Sequence, residues 1–90
     1  MEIEKLHKML TDAGIEHEWH NHIVSGYQII MYKKDGERLI SAIEGYGTYG
    51  YKADLIEIMG LLTPEEEEHD SVVGWLTAEE VFRRIKEALG

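Results

Sequence analysis

The chain has 90 residues, with 9 Lys+Arg against 18 Asp+Glu, a formal net charge of −9, no cysteine and one proline. That is one small domain over 1–90, without a disulfide framework, a cysteine zinc cage or a thiol nucleophile. Its apolar runs are too short to span a membrane, no basic-then-apolar leader opens it, and its scattered Lys and Arg do not form the cationic surface that general nucleic-acid binding needs.

The expected location is therefore the cytosol. Apolar residues make up 43% of the chain, enough for a real core, so wholesale disorder is not expected. A chain this short buries roughly 60–65% of its unfolded surface. That leaves little room for a deep private pocket, and directs any small-molecule site to a groove or to an interface between copies.

Residues 2–13 have helical spacing, with Ile3, Leu6, Leu10 and Ala13 at three- and four-residue steps. Gly14 fits the left-handed position after a helix end. Residues 16–23 alternate weakly and fit an edge strand. Tyr27 to Tyr32 is a stronger strand, rich in β-branched and aromatic residues. Lys33-Lys34-Asp35-Gly36 is a hairpin turn. Arg38 to Glu44 returns, with Leu39, Ile40 and Ile43 as core candidates. After the Gly/Tyr segment 45–51, residues 53–61 suit a short helix with Leu55, Ile56, Met59 and Leu62 inward.

Thr63-Pro64 opens a further helical turn, with Thr63 as N-cap and proline at the first helical position. Residues 69–75 are then a connection anchored by Val72, Val73 and Trp75. Thr77-Ala78-Glu79-Glu80 is a capping box opening a last helix with Val81, Phe82, Ile85, Ala88 and Leu89 as its apolar stripe. The expected fold is α+β: an N-terminal helix on a three-stranded antiparallel meander, followed by two or three C-terminal helices.

Three features bear on chemistry. Gly45-x-Gly47-x-x-Gly50 matches the dinucleotide fingerprint by letter and lies between an expected strand and an expected helix. Glycines let backbone amides approach a phosphate, and a helix start favours negative charge. Lys52 adds a cation, and Tyr46, Tyr49 and Tyr51 could stack on a base. A full Rossmann unit needs parallel strands, whereas the preceding strands here are expected to be antiparallel. The remaining readings are a loop touching a nucleotide-like or phosphate-bearing ligand, and a Tyr/Gly turn with a structural or protein-contact role.

Second, His17, His20 and His22 crowd one short stretch with Glu16 and Glu18. On a strand, His20 and His22 share one face while His17 and Trp19 take the other. Two such ligands could bind a divalent ion if a third came from elsewhere, for example His69 or a glutamate. The ordinary reading is a solvated edge strand, with His7 and His69 as surface residues. Third, Arg83, Arg84 and Lys86 lie on the last helix. Arg84 flanks its buried face and suits bidentate phosphate contact, although the ordinary reading of such residues is favourable placement near a helix C-terminus. Arg38 poses the same choice on a strand. The run Glu65–Glu68 is a solvated helix start and not a catalytic carboxylate pair, which needs a defined gap in a cleft.

Several stretches carry a resemblance. They are Gly26-Tyr27-Gln28-Ile29, the run from Asp54 to Thr63, the run from His69 to Val81, and the Gly47-x-Tyr49-Gly50 loop. Across most of 26–85 the chain resembles small accessory proteins of phages and prophages of Gram-positive bacteria, a group without an established common activity. The resemblance implies a phage-encoded protein in the bacterial host cytosol that counters host defence. No catalytic residue follows from it.

Two strategies fit such a protein. One is a non-enzymatic sponge for a nucleotide immune signal, a cyclic dinucleotide or an ADP-ribose derivative, with the ligand on Tyr46, Gly47, Thr48, Tyr49, Gly50, Tyr51, Lys52 and Arg84. A homo-oligomer would enclose it. The other is an acidic protein–protein inhibitor of a host defence protein or nuclease. A metal-dependent hydrolase built on His17, His20 or His22 is the weakest reading. Catalysis and a cofactor are not expected.

Overall fold

The computed structural model describes residues 1–22, 26–45 and 54–90. Among the described residues three α-helices and five strands follow in the order α1 (Glu2–Asp12), β1 (Glu18–His22), β2 (Gly26–Tyr32), β3 (Arg38–Glu44), β4 (Ile56–Met59), α2 (Pro64–His69), β5 (Val73–Leu76) and α3 (Ala78–Leu89). The strands form one antiparallel sheet in sequence order. The α+β class and the N-terminal helix agree with the sequence. The sheet, however, is a five-stranded meander and not a three-stranded one.

The first extra strand is β4, where the sequence suggested a helix over 53–61. Ile56 and Ile58 are buried while Glu57 and Met59 turn outward, a period of two. Register places Ile58 beside Ala42. Gly60 ends the strand with φ +97, and a Cβ there would meet the Leu39 carbonyl at 2.4 Å. The second is β5, inside the segment read as a connection. Leu76 faces Ile56 and Val73 faces Ile58, so β5 carries one extra residue there. Trp75 takes φ 63 in that bulge and is 61% exposed, a conformation that costs a bulky side chain roughly 1–3 kcal/mol.

Alternation along the paired strands divides the sheet into two faces. Trp19, Ile29, Ala42 and Ile58 lie in one cross-strand row. With Met31, Ile40, Ile56 and Leu76 they meet Ile3, Leu6 and Leu10 of α1 and Ala78, Val81 and Ile85 of α3. Within β3 the inward residues are thus Ile40, Ala42 and Glu44, whereas Leu39 and Ile43 are only half-buried. The other face carries the row His20, Gln28, Ile43 and Glu57.

Helix ends follow local chemistry. Gly14 takes φ 70, the Gly14 amide donates to Thr11 and that of Ile15 to Leu10, closing α1 with the paired C-terminal bonds a left-handed glycine permits. Thr63 caps α2 in a full capping box with Glu66. The Thr77 hydroxyl accepts from the Glu80 amide and donates to the Glu80 carboxylate.

α1 and α3 run parallel. The Ala78 amide donates to the Glu2 carboxylate at 2.8 Å, Lys5 pairs with Glu79, and further along Met9 lies beside Phe82 and Lys86. Both long helices therefore start at the end of the sheet where β3 finishes and β4 begins.

Candidate functional site

Segment 46–53 joins β3 to β4 and holds Tyr46, Gly47, Thr48, Tyr49, Gly50, Tyr51 and Lys52, which lie outside the described residues. Its two roots are described. On one side Glu44 and Gly45 close β3. Gly26, at φ +110, packs so tightly beneath them that a Cβ would meet the Glu44 carbonyl at 2.2 Å and Gly45 Cα at 2.6 Å. On the other side Asp54 takes φ 60 before β4 begins.

Glu44 is the buried acid of the molecule, 1% exposed. Its Oε1 accepts from the Ile3 amide at 2.9 Å, in the first turn of α1 where a carboxylate is favoured. Burial, and then a hydrogen bond shared with Asp54, push its pKa up to about 7, because burial disfavours the charged carboxylate more than the Ile3 amide and the distant α-amino group favour it. Asp54 is shifted the other way, chiefly by the Glu44 hydrogen bond, with the α-amino group of Met1 adding to it. Below about pH 7 the pair therefore holds a proton, on Glu44. Sequence reading did not select Glu44; its parity with Ile40 and Ala42 was the available signal.

Arg84 is not brought to this end. Its guanidinium grips Glu66 with two bonds of 2.7 and 2.8 Å and donates to the Leu61 carbonyl at 3.0 Å, beyond the far end of β4 from segment 46–53. Glu66 is pulled down to about 2, first by Arg84 and then by the Thr63 amide. Arg84 Nε is buried without a hydrogen-bond partner among the described residues. Arg83 pairs with Glu87 on the surface, and Arg38 donates to the Met59 sulfur.

The histidines divide as strand alternation implies. His17 and Trp19 lie on the helix side. Trp19 stacks between Tyr27 and His7, at 5.1 and 4.4 Å between centroids. His17 Nδ1 donates to the Ile15 carbonyl, so its Nε2 accepts from His7 Nδ1 at 2.7 Å. His7, read as a surface residue, is thus half-buried, and burial followed by His17 pushes its pKa down. His20 and His22 lie on the opposite face, their rings 6.1 Å apart and near-parallel. Among the described residues no group of three or more His, Cys, Asp or Glu could hold a metal ion.

Two shallow depressions lie away from segment 46–53. One, of about 390 Å³, is bounded by Glu16, His17, Glu18, Tyr32, Lys33 and Lys34. The other, of about 370 Å³, lies between Leu61–Thr63 and the C-terminal half of α3. No described helix is long and apolar enough to cross a membrane. No protein-family model, curated protein or solved structure matches the chain.

Proposed function

We propose that the protein is a non-catalytic binding module that captures a small nucleotide-type anion where segment 46–53 leaves the sheet. The supporting observation is the convergence of both long-helix N-termini on that end, since each adds partial positive charge. Glu2 and Glu44 occupy part of this positive end, and below about pH 7 a proton on Glu44 removes one of those negative charges. In this reading glycines at 47 and 50 supply amides, Lys52 a cation, and Tyr46, Tyr49 and Tyr51 stacking faces. Arg84, bound to Glu66, is left out of this site.

Together with the phage-type sequence pattern, the proposed ligand is a cyclic dinucleotide or an ADP-ribose derivative, sequestered intact to blunt host defence. A second copy of the chain would enclose it. The test is native mass spectrometry with a panel of both ligand classes. One class should give a mass shift that Lys52→Ala and Tyr49→Ala abolish. If no ligand shifts the mass at concentrations tens of times that of the protein, the reading fails.

A second reading, an acidic inhibitor of a host protein, is favoured by a different observation. From Asp54 to Glu80 the chain has nine of its 18 carboxylates and no lysine or arginine. The exposed, left-handed Trp75 stands in the midst of that stretch.

A further inference from the structure

We infer that His20 and His22 form a two-imidazole site for a divalent transition-metal ion on the open face of edge strand β1. Both side chains project from the face away from α1 and α3, one step apart in the alternation. The hydrogen bonds around them define which ring nitrogen is free.

Gln28 Nε2 donates to Ser41 Oγ at 2.9 Å, which turns Gln28 Oε1 toward His22. That oxygen only accepts, so His22 Nε2–H donates to it at 2.8 Å. The Glu18 carboxylate likewise only accepts, and His20 Nε2–H donates to it at 3.1 Å. In both neutral imidazoles the proton is therefore on Nε2 and the lone pair on Nδ1. An oxygen acceptor on the remote N–H is the support that metal-ligating histidines ordinarily have: it fixes the tautomer and raises the basicity of the other nitrogen.

The near-parallel rings, 6.1 Å apart between centroids, need side-chain rotation alone to bring both Nδ1 atoms onto one ion, and their exposure leaves room for it. Imidazole pairs suit zinc, copper and nickel and not magnesium. Two protein ligands leave the remaining positions to water, so a bound ion stays accessible. His22 is paired with Gly26, the residue beneath the root of segment 46–53, which sets the ion beside the end of the sheet discussed above. The site does not depend on that loop binding anything.

The test uses metal alone. Calorimetric titration should give saturable binding tighter for Cu²⁺ than for Zn²⁺, with none for Mg²⁺. Imidazole ¹H–¹⁵N spectra should show the Nδ1 resonances of His20 and His22 moving. His20→Ala and His22→Ala should each weaken Zn²⁺ binding at least about ten-fold, and Gln28→Leu, which removes only the support, about ten-fold or more. All three changes lie on the face away from the core, so the variants should keep the wild-type circular dichroism. Zn²⁺ affinity unchanged by both histidine variants, or shifts confined to His7, His17 or His69, would overturn the assignment.

Discussion

Glu44 occupies a place where water cannot solvate its charge, and its behaviour with pH follows from that. Its folded pKa stands near 7, above an ordinary carboxylate value of 4.5. Between those values the folded state binds the extra proton, so stability is fully present below about pH 4.5 and is lost as pH rises through 7. A thermal-melting profile should therefore decline across that window. Glu44→Gln, which keeps the shape and a neutral acceptor for the Ile3 amide, should flatten it. An unchanged slope in the variant would place the titration elsewhere. If segment 46–53 binds an anion as proposed, the proton on Glu44 at its root would couple that binding to pH.

At the level of elements, the Arg84–Glu66 pair fastens the short helix α2 to α3, and α2 has no buried side chain of its own to hold it. Arg84→Met should cost roughly 1.5–3 kcal/mol in urea unfolding, the usual range for hydrogen bonds to charged groups. Glu66 has its pKa lowered, so its contribution is present above the ordinary carboxylate range and disappears as pH falls through about 2. Equal stability of Arg84→Met and wild type would show that α2 is held by other contacts.

The elements that could be read from sequence have long periodic patterns or explicit caps. α1 repeats its apolar residues over three turns and ends at Gly14, and α3 opens on Thr77. β4 has neither mark. Apolar residues at 55, 56, 58, 59, 61 and 62 fit both periods, and the contact that decides, Ile58 against Ala42, lies 16 positions away. β5 contains a glycine and a left-handed tryptophan, so only its pairing with β4 defines it. The same rule divides the candidate sites. Alternation alone put His20 and His22 on one face. The buried Glu44 depends on α1 arriving above it, and the Glu66 grip on Arg84 depends on how α2 lies against α3. Neither is encoded in local spacing.

For the molecule as a whole, charge is unevenly placed. The stretch from Asp54 to Glu80 is purely acidic, and a partner docking there has to be basic. If the protein acts as an inhibitor, a partner captured from infected cells should bind more weakly as salt rises, and Trp75→Ala should cost at least about 2 kcal/mol, as expected for a central aromatic anchor. Salt-insensitive capture, or capture indifferent to Trp75→Ala, would count against this reading.

The parallel pairing of α1 with α3 also governs how the chain can come together. Glu2 and Ala78, joined by one hydrogen bond, are 76 positions apart. The sheet grows by neighbouring strands and needs only short loop closures, but Leu6 and Leu10 do not gain their full cover until Val81 and Ile85 have been synthesised and docked. Such a distant contact comes at an entropic cost before it returns any stability. The pair closes as a clasp does, with α1 held by a helix that follows it by more than sixty residues.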